Sequence, residues 1–126
     1  MDENYLTLDN LVVYQQTREY SRQAWQIYER LRWQQKKIIG DQMITSVDSV
    51  GANTAEGYGR FHYLDKIKFY YNARGSLLES KHWIELFYER KIVNQAELNK
   101  MIKLQSEILL KLNLLIQSQY KRKTQS

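Results

Sequence analysis

Glu79 and His82, three residues apart, form the feature of this sequence that most resembles a metal-binding motif. On a helix, a Glu-x-x-His pair projects both side chains to one side, as in bundles that hold a di-iron centre. Such a centre needs a second pair and two further carboxylates, whereas the only other histidine, His62, lacks a partner of this kind. We therefore expect no metal site, and we interpret the pair as ordinary polar contacts on a helix surface.

Other catalytic arrangements are equally incomplete. The chain has no cysteine and two histidines, and its serines lack the Gly-x-Ser-x-Gly elbow of a nucleophile. The segment Gly57-Tyr-Gly-Arg60 superficially suggests a phosphate loop, but it lacks the third glycine and the Lys-Ser/Thr ending. We interpret it as a turn between helices, in which glycine accepts the left-handed conformation that ends a helix. The sequence thus predicts a non-enzymatic protein without a cofactor.

Basic residues are concentrated in short stretches of a chain whose net charge is +5. Residues 30–37 sum to +4 and residues 60–74 to +3. Such patches suit phosphate backbones, although a solvated bundle surface would look the same. Trp33 and Tyr58 are candidate platforms for stacking bases. The candidate contacts to nucleic acid are Arg30, Arg32, Lys36, Lys37, Arg60, Lys66 and Lys68.

The elements that would position these residues are helices. The 126 residues contain no proline and only five glycines, which permits long uninterrupted helices. Apolar residues recur every three or four positions in four segments, as on one face of a helix. In the first segment these positions are Val13, Thr17, Tyr20, Ala24, Ile27 and Leu31, and in the last they are Leu98, Met101, Gln105, Ile108, Leu112 and Leu115.

We therefore predict an all-α chain that forms one domain, residues 1–126. Its helices span about 9–32, 36–57, 62–90 and 94–120, with short links that favour an antiparallel up-down four-helix bundle. Asn94 and Glu97 fit a capping box at the start of the fourth helix. The third helix is apolar on more than one side, which indicates that the bundle is one unit of an oligomer.

Small residues in the second helix predict close packing, which would explain Gly51 inside it. At the end of this helix, Glu56 has two candidate partners, Arg60 and Arg74. We expect a partly buried ion pair there, whose reversal would lower the melting temperature beyond a surface effect.

The N-terminus lacks the features of a secretory signal, and no apolar run approaches the length of a membrane span. Together with the absence of cysteine, this predicts a cytoplasmic protein with no membrane partner.

Two segments, Ser49-Val-Gly-Ala-Asn-Thr-Ala-Glu-Gly57 and Ala73-Arg-Gly-Ser-Leu-Leu-Glu79, resemble a known family. They are similar to the four-helix-bundle proteins encoded in intervening sequences of bacterial 23S ribosomal RNA genes. That family also includes the accessory variability determinant of diversity-generating retroelements. The segment Asp9-Asn-Leu-Val-Val-Tyr14 resembles the family's opening helix. The positions that match are Ser49, Asn53, Ala55, Glu56, Gly57, Ala73, Gly75, Ser76 and Glu79.

The resemblance implies a left-handed bundle that assembles into a homopentamer with a positively charged, nucleic-acid-binding surface. For the retroelement members it implies a reverse transcriptase as partner, and it implies no catalytic residues. It also implies that Gly75, like Glu56, Gly57 and Arg74, has a structural role. Ile44-Thr45 stands where the family often carries two arginines, so a contact to RNA from that helix is in question.

The function expected from the sequence is that of a non-catalytic oligomer that binds RNA, DNA or a ribonucleoprotein partner. The alternative is a protein-interaction scaffold, in which the rings of tyrosine, tryptophan and phenylalanine would serve subunit and partner contacts and the basic residues would only be solvated.

Overall fold

The computed structural model describes residues 7–125 and places nearly all of them in helices, with no strand in that range. This confirms the predicted all-α class and the helical bundle. A short 3₁₀ turn precedes α1. The helices are α1 (Val12–Glu29), α2 (Trp33–Gln35, Lys36–Gly40 and Asp41–Gly59 in succession), α3 (Tyr63–Glu89) and α4 (Gln95–Gln125). None of the described helices is long and apolar enough to cross a membrane.

α2 begins earlier than the sequence indicates, at Trp33 and not near residue 36. Its second turn, Lys36–Gly40, is a π turn in which the Asp41 N–H donates to the carbonyl of Lys36. A Cβ on Gly40 would lie 2.8 Å from Leu31 Cδ1 and 3.3 Å from the Gln35 carbonyl oxygen, so any other residue here would require Leu31 to shift. Lys36–Gly40 is a widened turn inside one continuous helix.

Helices that follow each other in sequence pack side by side, and α1 also packs against α4. Tyr28 near the end of α1 bonds Asp41 near the start of α2, while Thr17 near the start of α1 faces Gly51. Residue numbers thus rise along one helix as they fall along its neighbour, as antiparallel packing requires. The up-down topology and left-handed sense of the whole bundle stay predictions.

The predicted apolar faces form the core. All six positions named for α1 are buried, as are those of α4 except the half-buried Leu115. The predicted close approach at Gly51 is confirmed, since a Cβ there would lie 3.0 Å from Thr17 Oγ1.

A chain of hydrogen bonds crosses this core from α4 to α3. Ser80 Oγ donates its only proton to the carbonyl of Leu77 at 2.7 Å. In the 2.7 Å bond between Tyr20 and Ser80, the Tyr20 hydroxyl must therefore be the donor and Ser80 Oγ the acceptor. Tyr20 in turn accepts from Gln105 Nε2 at 3.0 Å. Because Tyr20 is fully buried, desolvation raises its pKa to about 12.

The capping box at α4 forms as predicted. Asn94 Oδ1 accepts from the Glu97 N–H at 2.8 Å, and Glu97 Oε1 accepts from the Asn94 N–H at 2.9 Å. These bonds fix the start of α4 and the orientation of the Glu97 carboxylate.

Candidate nucleic-acid interface

The two basic stretches lie at opposite ends of α2. Since α2 spans residues 33–59, its ends are separated by roughly 40 Å at 1.5 Å per residue. We call residues 30–38 the α1–α2 corner and residues 58–68 the far end. The seven predicted contacts therefore form two separate surfaces and not one patch.

Arg30, in the α1–α2 corner, is held by acidic and carbonyl groups. Its guanidinium bridges both carboxylate oxygens of Glu97 and donates to the carbonyl of Ile92 at 3.0 Å. The bidentate contact lowers the pKa of Glu97 and raises that of Arg30. Arg30 thus ties the end of α1 to the start of α4, and its charge is already neutralised.

The other three cations of the corner are free of such contacts. Arg32, Lys36 and Lys37 form no ion pair within the described part of the chain. Lys36 Nζ lies 5.0 Å from the centroid of the Tyr28 ring, a cation–π contact that orients it without neutralising it. Trp33 lies among these cations and is 67% exposed. The corner therefore combines free positive charge with an open aromatic face.

Cations at the far end are mostly engaged. Lys66 Nζ donates to the carbonyls of Tyr58 at 2.7 Å and Gly57 at 3.3 Å, where it closes the end of α2. Partial burial lowers its pKa. Lys66 Nζ also lies 5.5 Å from the Tyr58 ring centroid, so that face of the predicted stacking platform is covered. Lys68 is exposed, with Nζ 5.8 Å from the ring of Phe69.

Glu56 pairs with one of its two predicted partners, but the expected burial is wrong. Arg60 Nε lies 3.0 Å from Glu56 Oε2, and the two side chains are 45% and 50% exposed. Arg60 also lies over the Phe69 ring at 4.7 Å. The other candidate, Arg74, lies instead 5.9 Å from the Tyr71 ring centroid. An exposed pair of this spacing contributes little to stability, because water screens it.

Gly57 is structural for a different reason from the one predicted. No described glycine has a positive φ, and α2 continues through Gly59. A Cβ on Gly57 would lie 2.7 Å from Tyr70 Cε1, so glycine is needed for α3 to approach. For Gly75 the described chain offers no structural reason, since a Cβ there would meet nothing within 4 Å.

The Glu79–His82 pair makes local contacts. Glu79 Oε2 accepts from Trp83 Nε1 at 3.1 Å, and the rings of His82 and Trp83 form a T-shaped pair with centroids 4.9 Å apart. Among the described residues, no group of three or more histidines and carboxylates could hold a metal ion.

Sequence reasoning missed the Arg30–Glu97 clamp, whose partners are 67 positions apart. It also missed that Gln105, which occupies a core position of α4, is the donor at one end of the buried polar chain. The only sequence feature that could have indicated this buried hydrogen bond was the presence of a glutamine within an apolar repeat.

The family model of the 23S rRNA-intervening sequence protein matches residues 9–114. The chain belongs to this family. A crystal structure of a protein of unknown function from the S23 ribosomal protein family of Bacteroides thetaiotaomicron matches with a TM-score of 0.76 and 23% identity. The match covers 82% of this chain and 97% of that one, and it shows a shared fold. No curated protein matches the sequence.

Proposed function

We propose that this member of the 23S rRNA-intervening sequence protein family is a non-catalytic, homo-oligomeric accessory protein that binds nucleic acid in the cytoplasm. The observation that carries the proposal is the α1–α2 corner, where Trp33 is open to solvent among Arg32, Lys36 and Lys37. A cysteine-free chain suits the reducing cytoplasm.

Single-stranded RNA suits this corner better than a duplex does. An exposed indole can stack on an unpaired base, and flanking cations can contact the phosphates on either side. The far end lacks this combination, because Lys66 lies over one face of the Tyr58 ring and Arg60 is paired. Repetition of the +5 chain around five copies, as the family resemblance implies, would give +25 and strengthen the attraction.

Salt-titrated binding tests the proposal. A short fluorescent single-stranded RNA is titrated with the wild-type protein at several salt concentrations, in parallel with a DNA of the same sequence. If three cations per copy contact phosphates, the slope of log K against log salt is about −2 for each bound corner. Trp33→Ala should weaken binding by about tenfold or more, because base stacking is lost.

A matched control is Trp83→Phe, which changes a tryptophan outside the corner and should leave binding unchanged. No binding at low salt, or binding without a salt dependence, would overturn the proposal. If the Trp33 and Trp83 variants lost equal affinity for RNA, the α1–α2 corner would not be the binding surface.

An apolar surface supports the second candidate, a protein-interaction scaffold. On α3 and α4, Tyr71, Leu78 and Ile102 are 44%, 50% and 37% exposed. Purification from the native host that recovers a protein partner but no nucleic acid would favour this candidate.

A further inference from the structure

The turn between α3 and α4, residues 90–94, contains the only residue of the described chain with a left-handed backbone. Lys91 has a φ of 61°, a region that crowds the Cβ of an L-residue and that glycine enters without penalty. Two backbone hydrogen bonds fix this conformation. The Lys91 N–H donates to the carbonyl of Tyr88 at 3.0 Å, and the Ile92 N–H donates to the carbonyl of Phe87 at 2.8 Å. These bonds form a Schellman motif, in which the left-handed residue is usually glycine.

The side chain of Lys91 makes no contact that offsets this strain. It is exposed, and it takes part in no ion pair, side-chain hydrogen bond or ring contact among the described residues. The lysine therefore breaks a backbone preference without a gain in folding. Residues that do so are concentrated at functional sites, where the side chain is needed for something other than stability.

The α3–α4 turn lies beside the α1–α2 corner. Arg30 Nη2 donates to the carbonyl of Ile92, the residue after Lys91, at 3.0 Å. Arg30 and Lys91 also line the same open groove. Since Arg32 follows two residues after Arg30, Lys91 lies at the same end of the bundle as the unpaired cations of the corner.

The ion pair between Arg30 and Glu97 neutralises the acidic group that lies between the corner and the turn. Both carboxylate oxygens of Glu97 bond the Arg30 guanidinium. Beyond this pair, residues 89–94 sum to +1, because two cations stand against one acid. A nucleic-acid strand that leaves the corner would pass a neutral pair and then reach a turn of net positive charge, which attracts its phosphates.

We propose that Lys91 contacts a phosphate of the single-stranded RNA whose base stacks on Trp33 in the α1–α2 corner. The contact extends the nucleic-acid surface from the corner to the α3–α4 turn, and Arg30 is the positioning residue that holds the two together. The need for a cation explains why a lysine occupies a position where glycine would be less strained. The contact rests on the nucleic-acid binding of the proposed function and adds a residue to its site.

Lys91→Gly separates RNA binding from stability, because it removes the charge and the backbone strain together. Its melting temperature should be about 4 °C higher than that of the wild type, since glycine adopts the left-handed conformation freely. In titration of a short fluorescent single-stranded RNA, the loss of one phosphate contact should weaken binding about fivefold at about 0.1 M salt. The log–log salt slope should also become smaller in magnitude by about 0.7.

Two variants serve as controls. Lys91→Arg keeps both the charge and the strain, so it should match the wild type in melting temperature and in RNA affinity. Lys68→Ala removes one exposed lysine from the far end and should leave RNA binding unchanged.

Unchanged affinity and salt slope in Lys91→Gly would overturn the contact. A glycine variant that is less stable than the wild type would also overturn it, because the lysine would then serve the fold. If Lys36→Ala/Lys37→Ala loses affinity for RNA and Lys91→Gly does not, only the Lys91 contact fails. A wild type that binds no RNA at low salt would overturn the proposed function together with the contact.

Discussion

Tyr20→Phe removes a single hydroxyl from the polar chain that crosses the core. That hydroxyl accepts from Gln105 and donates to Ser80, and Tyr20 has no exposed surface. After the substitution, Ser80 keeps its bond to the Leu77 carbonyl. The Gln105 amide, whose Oε1 already lacks a partner in the described chain, then loses its remaining one.

The loss can be estimated from these contacts. A typical buried hydrogen bond contributes about 1 kcal/mol, and a donor left buried without an acceptor adds about 1–3 kcal/mol. We expect the free energy of unfolding to fall by about 2–3 kcal/mol, which lowers the melting temperature of a chain of this size by roughly 10 °C. Tyr20→Phe combined with Gln105→Leu removes both polar partners and should recover about half of the loss or more.

Urea unfolding followed by circular dichroism measures these values. Tyr88→Phe is the matched control, because the exposed Tyr88 hydroxyl bonds only Gln95, and its loss should change stability by less than about 0.5 kcal/mol. The reasoning is refuted if Tyr20→Phe is as stable as the wild type. It is also refuted if the double variant is less stable than Tyr20→Phe alone.

Three further predictions concern the turn at the end of α2 and the buried tyrosines. Gly57→Ala should destabilise the protein by about 1–2 kcal/mol, because overpacking against Tyr70 outweighs the better helix propensity of alanine. Gly59→Ala is the control and should not destabilise it, because a Cβ there would meet nothing within 4 Å. Thermal unfolding of the two variants compares these effects. Glu56→Lys should shift the free energy of unfolding by no more than about 1 kcal/mol, since its ion pair is exposed. A shift of several kcal/mol would instead support the buried ion pair that was expected from the sequence. Burial raises the pKa of Tyr20 to about 12, above that of an unfolded tyrosine, so its contribution to stability is complete below about pH 10 and lost as pH rises toward 12. Unfolding measured across that pH range should lose less stability in Tyr20→Phe than in the wild type.

The helices were predictable because their signal is local. The 3–4 spacing of α1 identified its buried face, and the box formed by Asn94 and Glu97 involves residues three apart. Both depend on the geometry of a single helix, so no knowledge of its neighbours was needed.

Contacts between helices were the part that sequence reasoning could not supply. The tight fit at Gly40 comes from Leu31 and the Gln35 carbonyl, and the requirement for Gly57 comes from the ring of Tyr70. The sequence pattern indicated that Gly57 matters but assigned it the wrong cause. Glycine is required at position 57 because Tyr70 of α3 lies so close to it, which the pattern of a single helix does not contain.

The sequence predicted which types of residue could contact nucleic acid, but it did not predict which of them lie together on one surface. Summed charge treats residues 30–37 and 60–74 alike, whereas the fold neutralises Arg30 with Glu97 and directs Lys66 to backbone carbonyls. Only the partners of each cation in three dimensions show that, among the seven candidates, Arg32, Lys36 and Lys37 form a group without ion pairs in the described chain, whereas the far end has only Lys68 in that state.

The most direct test of nucleic-acid binding at the α1–α2 corner compares two variants with the same change in charge. Lys36→Ala/Lys37→Ala removes two cations from the corner, and Arg60→Ala/Lys68→Ala removes two from the far end. In salt-titrated binding of single-stranded RNA, the corner variant should bind more weakly, with a log–log salt slope smaller in magnitude by about 1.4 for each bound corner. The far-end variant should keep the affinity and slope of the wild type. Equal losses in the two variants, or a larger loss in the far-end variant, would contradict the account.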